Sequence, residues 1–220
     1  FFVTDPYGNV FQITESDNWF SKRGDNTGGV FGAVIGVSNI EKSKAFYSNI
    51  LGYDTVVYEG EGKFSDLSVL NNGNSSFKRA ILKHSKPRQG AFSPLLGDSE
   101  IELVQDLNLT PNQILKDRFW GDLGFIHLCY DIVNMKALQS DCERAGHPFT
   151  VDSANSFDMG EAAGHFSYIE DPDGTLIEFV ETHKIAIVKK IGWYLDLRKR
   201  DPLKPLPNWM LKSLSFNRKK

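Results

Sequence analysis

The chain has 220 residues, 40% of them hydrophobic, 12% aromatic and 24% charged, the balance of an ordinary globular protein with one large domain or two small ones. No apolar run is long enough to span a bilayer, and two cysteines, Cys129 and Cys142, offer neither a disulfide framework nor a zinc-knuckle spacing, so a reducing, cytoplasmic setting is expected. The net charge of −3 is unevenly spread: ten Lys/Arg against two Asp put +8 on residues 189–220 and leave −11 on residues 1–188, an acidic body that argues against nucleic-acid binding.

The sequence opens without Met, in what reads as a strand already under way (Phe1-Phe2-Val3-Thr4), so a piece of a longer protein is expected. Residues 1–14 hold Asp5-Pro6-Tyr7-Gly8 and a following strand through Gln12, which reads as the last hairpin of an upstream or incomplete module. A polar linker over 15–30 follows. The first full module, 31–105, starts with a strand from Val30 to Val37. Ser38 and Glu41 read as a capping box for a helix carrying Phe46, Tyr47, Ile50 and Leu51, closed by Gly52. Strands are then expected at Tyr53–Tyr58, Phe77–Leu82 and Glu100–Gln105, with Ser65–Leu70 between the first two as an additional candidate strand, and with Glu102 projecting from the face opposite Ile101 and Leu103.

A linker at 106–122 leads to a second module, 123–183, in the same order. Its strand 124–131 precedes a helix capped by Asn134, carrying Met135, Leu138 and Cys142 and stopping at Gly146. Short strands follow at Phe149–Val151 and Phe166–Ile169, then Asp171-Pro172-Asp173-Gly174 and a strand at 175–181. Strand, helix and three strands, occurring twice, is an internal repeat. The basic, aromatic tail 184–220 has Trp193, Trp209, Met210 and Leu211, with Asn208 as the cap of a short helix that covers an apolar patch or makes a subunit contact.

Two strands of the second module carry the chemistry. Phe125, His127 and Cys129 share one face, as do Leu176, Glu178 and Val180, while the opposite faces are wholly apolar. A carboxylate held among apolar neighbours costs roughly several kcal/mol unless something compensates it, and a metal ion shared with His127 is the economical candidate. Against this, a single His is also read as a core residue bonded to a backbone carbonyl, and Glu102 lies on a strand whose start is polar anyway. His165 and Tyr168 read as packing or hydrogen-bonding residues, and Arg79, Lys83 and His84 as a solvated strand end or, alternatively, as groups that meet an anionic substrate; His147 and His183 have no assigned role.

The pattern Val37-Ser38-Asn39 through Ala45-Phe46-Tyr47 to Leu51-Gly52-Tyr53, His127 at the start of a module, and Asp171-Pro172-Asp173-Gly174 leading into Ile177-Glu178-Phe179 resemble the vicinal-oxygen-chelate superfamily. That group includes glyoxalase I, bleomycin-resistance proteins and extradiol dioxygenases. The resemblance covers residues 31–181 with the remnant at 1–14. It implies an α+β fold in which two βαβββ modules pair into a curved mixed sheet around a cleft. It also implies a divalent metal, Fe(II), Zn, Mn or Ni, held by His127, Glu178 and Glu102, with Glu178 and Glu102 as the proton-moving groups. The fourth ligand position falls on Gly32 if the strands are aligned by their faces, or on Ala33 if aligned by the helix ends; neither side chain can bind metal. The implied activity is a metal-dependent lyase, isomerase or ring-cleaving dioxygenase on a small substrate with vicinal oxygens. The alternative is a metal-free binding or resistance protein, and a structural role beside an active upstream part is the third reading. A small-molecule substrate is the expected partner, with no nucleic acid and no membrane, and a homodimer that exchanges modules is left open.

Overall fold

Strand alternation becomes two mixed sheets, one in each of the two units into which the chain divides. The computed structural model describes residues 1–220 except 17–19, 22, 23, 25–27, 71, 120, 154–156, 159–162 and 218–220, and leaves the side chains at 157, 158 and 163 undescribed. Much of the linker expected at 15–30 and the last three residues of the basic tail therefore lie outside the described residues.

The first unit holds Phe1–Lys86, Asp98–Ile126 and Asp171–Thr175. Its opening hairpin pairs β1 (Phe2–Thr4) with β2 (Val10–Gln12). Asp5 closes the turn by accepting the Tyr7 and Asn9 backbone N–H groups at 2.9 and 2.8 Å, and Gly8 takes the left-handed conformation (φ 87°) that favours glycine. Then come β3 (Gly32–Gly36), α1 (Ile40–Leu51), β4 (Thr55–Gly62), β5 (Phe77–Lys83) and β6 (Glu100–Asp106). The sheet order is β3-β6-β5-β4, with β3 parallel to β6 and the other pairs antiparallel. α1 buries Ile40, Phe46, Tyr47 and Leu51 and packs on β5 and β6, beside buried Leu82, Ile101 and Leu103. Each such side chain contributes roughly 1.5–3 kcal/mol.

Two local expectations are corrected. The cap of α1 is Asn39, one residue after Ser38: its side chain accepts the Lys42 N–H at 3.0 Å, while the Ser38 N–H is taken by Asp173 Oδ2 at 3.0 Å. Ser65–Val69 is a 3-10 turn and not a strand; buried Leu67 anchors it in a cluster with Phe77 and Val104. The Asp171–Thr175 turn repeats the Asp5 device. Asp171 Oδ1 accepts two backbone N–H groups of its own turn at 2.9 and 2.8 Å, and Oδ2 accepts the Tyr47 hydroxyl at 3.0 Å.

The second unit holds Pro87–Gly97, His127–Glu170 and Leu176–Lys220. Its elements are α2 (Ser93–Leu96), β7 (His127–Asp131), α3 (Met135–Arg144), β8 (Val151–Asp152), β9 (Phe157–Asp158), β10 (Ala163–Glu170), β11 (Leu176–Val188), β12 (Trp193–Asp196) and α4 (Asn208–Ser213). β7 runs parallel to β11, β10 antiparallel to it, and β8 and β9 pair with β10. Asn134 caps α3 as expected, accepting the Ala137 N–H at 3.2 Å. β11 is longer than the 175–181 read from sequence because its second half pairs with β12, which the tail supplies. Ile185, Ile187, Leu197, Leu206 and Leu211 are buried, so the tail covers the apolar face of its own unit. α4 starts at Asn208 but follows Pro207, whose φ of −57° sets the entry in place of a side-chain cap.

Asp131, at the end of β7, is pushed up from the usual 3.8 to about 6, chiefly by burial, against the pull of a hydrogen bond from Thr182 and with the push of the Glu181 charge. The unfolded chain therefore gives up this proton first as pH rises. The stability the group contributes is present below about pH 4 and is lost as pH climbs toward about 6. Asp131→Asn is expected to flatten urea-denaturation stability between those two values and to raise it at neutral pH by about 1–3 kcal/mol; an unchanged slope would refute the burial of this carboxyl.

Candidate functional site

β3 runs parallel to β6 in the first unit and β7 to β11 in the second, and this register decides which side chains meet. In the second unit His127 pairs with Leu176 and Cys129 with Glu178, so the His lies two residues before the Glu along the shared direction. In the first unit Gly32 pairs with Glu100 and Val34 with Glu102. Gly32, not Ala33, is thus the counterpart of His127. The backbone there is crowded: a Cβ at 32 would stand 2.0 Å from the Glu100 carbonyl oxygen.

His127 Nε2 lies 3.1 Å from Glu178 Oε2, both side chains being partly buried. The other carboxylate oxygen, Oε1, accepts the Tyr168 hydroxyl at 2.8 Å. The Tyr168 ring meets the imidazole edge-on, with centroids 5.6 Å apart. Burial first, and then the bond to Glu178, raise the phenol's pKa, so Tyr168 remains a donor. Cys129 is exposed in part, yet loss of water around its thiol, followed by the hydrogen bond and charge of Glu178, pushes it up to about 12. Without an ion it is a neutral thiol beside a carboxylate.

Glu102, 4% exposed, lies in the first unit and is compensated there. Arg79 Nε donates to its Oε1 at 2.5 Å, and Gln12 Nε2 donates to its Oε2 at 3.0 Å. Arg79 also reaches Asp66 at 2.8 Å and lies over the Phe64 ring at 5.4 Å. The structure thus brings His127 and Glu178 together in one unit and gives Glu102 an internal cation in the other. Among the described residues no group of three or more His, Cys, Asp and Glu side chains stands close enough to hold a metal ion.

Sequence reading gave Arg79 a solvated strand end; it is a buried ion-pair partner instead. The signal was its place two residues after buried Phe77 on one strand face. Tyr168 hydrogen-bonds, as expected, but to the candidate ligand itself. The remaining residues of interest have local partners: His165 with Asp152, His183 with Glu181, His147 with the Glu170 carbonyl, His84 with the Leu51 carbonyl and Lys83 with Glu100.

Two outcomes are expected. Gly32→Ala should cost about 1–3 kcal/mol by forcing β3 away from β6, while Gly36→Ala, with nothing within 4 Å of its added Cβ, should not; equal stabilities in chemical denaturation would refute the close approach. Arg79→Met should cost about 3–5 kcal/mol by leaving a buried carboxylate without its cation, and Arg79→Met with Glu102→Gln should recover much of it. Strictly additive losses in that double-mutant cycle would show that the pair is not coupled.

The model of the Glyoxalase/Bleomycin resistance protein/Dioxygenase superfamily matches residues 30–179. A glyoxalase family protein from Bacillus cereus is 14% identical; the match covers 74% of this chain and 99% of that protein, with a TM-score of 0.50. A glyoxalase family protein from Enterococcus faecalis is 19% identical over 70% of this chain and 97% of its own, with a TM-score of 0.49. FosX, a fosfomycin resistance protein from Listeria monocytogenes solved with Mn(II) and 1S,2S-dihydroxypropylphosphonic acid, is 14% identical over 69% of this chain and 90% of its own, at a TM-score of 0.41. At these identities the likeness is one of fold. No curated protein matches the chain.

Proposed function

Since this chain belongs to the Glyoxalase/Bleomycin resistance protein/Dioxygenase superfamily, we propose that it is a divalent-metal-dependent enzyme acting on a small substrate with vicinal oxygens, of the isomerase, lyase or ring-cleaving dioxygenase type. The observation that carries this is the 3.1 Å approach of His127 Nε2 to Glu178 Oε2. One imidazole nitrogen and one carboxylate oxygen at that separation suit neighbouring ligands of a single ion, whose bonds to N and O run about 2.0–2.2 Å. They fit Fe(II), Zn, Mn or Ni. A bound ion would supply Lewis-acid polarisation of two neighbouring substrate oxygens.

The chain's own groups do the rest. In this reading Glu178 moves the proton between adjacent carbons; in support, Tyr168 holds its carboxylate through Oε1 and leaves Oε2 toward His127. Glu102 is the second carboxylate of the proposal, and an ion would have to compete with Arg79 for it. The neutral thiol of Cys129 and the buried Cys142 suit a reducing, cytoplasmic setting.

A second reading, a metal-free small-molecule binding protein, is favoured by two observations: Arg79 already neutralises Glu102, and no side chain fits at position 32. One experiment separates them. Protein purified without chelator is analysed for metal, with His127→Ala, Glu178→Ala and Glu102→Ala beside the parent. The metal reading expects near-stoichiometric metal in the parent and at least about a tenfold loss of affinity in the His127 and Glu178 variants. Metal content that is negligible in the parent, or unchanged in both variants, sinks it and leaves the binding reading.

A further inference from the structure

The tail of the second unit has two apolar faces. One is turned inward, with Ile185, Ile187, Leu206 and Leu211 buried. The other faces solvent. α4 runs on as a 3-10 turn, Leu214–Asn217, and along this stretch Trp209, Lys212 and Phe216 recur at i, i+3 and i+7, on the side away from Leu211. Trp209 is 58% exposed and Phe216 69%. Trp193 of β12, also exposed, stacks on Trp209 with ring centroids 6.2 Å apart and planes 28° from parallel. Asn217 Oδ1 accepts the Lys189 N–H at 3.0 Å, which sets the turn Lys189–Ile191 and its exposed Ile191 beside the end of the stripe. Single exposed apolar residues are ordinary; two indoles, a phenyl ring and an isoleucine gathered in one place mark a contact surface.

The charges around this patch have one sign. Residues 186–193 and 205–217 contain no Asp or Glu, and Lys189, Lys190 and Lys212 lie among them. Lys190 and Lys212 are exposed and have no ion-pair partner among the described residues. The occupant is therefore anionic. Two copies of the chain meeting symmetrically here would set these lysines against their own images. A nucleic acid would use free ring faces to stack its bases, but Trp193 and Trp209 each spend a face on the other. Side chains this exposed project from the surface, where a peptide groove would bury its lining.

We propose that the tail docks the protein on an anionic phospholipid surface, with Trp193, Trp209 and Phe216 entering the headgroup layer and Lys190 and Lys212 meeting its negative charge. Indoles at the boundary between water and lipid, an apolar ring beside them and lysines reaching out to the headgroups are what such a surface accommodates. The sequence reading expects no membrane partner; a peripheral contact of this kind needs no spanning segment.

The test is co-sedimentation of the whole chain with phosphatidylcholine vesicles and with vesicles of phosphatidylcholine mixed with phosphatidylserine, read beside tryptophan emission. Binding to the anionic vesicles is expected to be at least about tenfold tighter, to weaken with salt and to shift the emission to shorter wavelength. Lys190→Glu with Lys212→Glu, and separately Trp209→Ser with Phe216→Ser, should each weaken it by about tenfold or more with an unchanged circular dichroism spectrum. Equal binding to both vesicles, binding to neither, or anionic binding that survives the Trp209 and Phe216 substitutions would overturn the proposal. So would a dimer that Trp209→Ser breaks, which would give the patch to a second copy, or tighter binding to a single-stranded oligonucleotide or to polyglutamate than to the anionic vesicles. The two vesicle compositions and the emission of the parent decide the matter even where a variant fails to fold.

Discussion

The parallel pairing of β3 with β6 and of β7 with β11 governs everything of interest in this molecule. A parallel pair cannot be closed by a tight turn and needs a long crossover; here a helix and further strands of the same sheet fill it. The same pairing sets side chains of two distant segments on one face at fixed steps. His127 meets Glu178 because β7 and β11 share a register, and position 32 meets the Glu100 backbone because β3 and β6 share the equivalent one.

The two units answer the same electrostatic problem differently. β6 and β11 each present a carboxylate among apolar residues, which left alone would cost roughly several kcal/mol or take up a proton. In the first unit Glu102 is matched by a permanent cation, Arg79, with the amide of Gln12 on its second oxygen. In the second Glu178 is held by an imidazole and a phenol, neither of which carries a permanent charge. A guanidinium stays with its partner at any ordinary pH. An imidazole, by contrast, can give way to an ion or a substrate.

Much of this was legible in the sequence, for physical reasons. Alternation marked the strands around Ile101–Leu103 and Ile177–Phe179, and Gly52 and Asn134 marked helix ends because few other residues suit a left-handed closure or an N-terminal cap. The Asp-Pro-x-Gly turns were readable twice over, since Asp5 and Asp171 each fold their own backbone. What escaped depended on distant partners. Arg79 looks like any strand-end cation until β6 is laid beside it. The second half of β11 reads as a tail until β12 pairs with it, and Ser65–Val69 has strand-like alternation but is pulled into a turn by Leu67.

The closeness of β3 to β6 also limits what can be built into this molecule. A Cβ added at position 32 would stand 2.0 Å from the Glu100 carbonyl oxygen. Any side chain grafted there, an imidazole included, meets backbone before it meets open room, so installing a new ligand on this strand requires the two strands to part first.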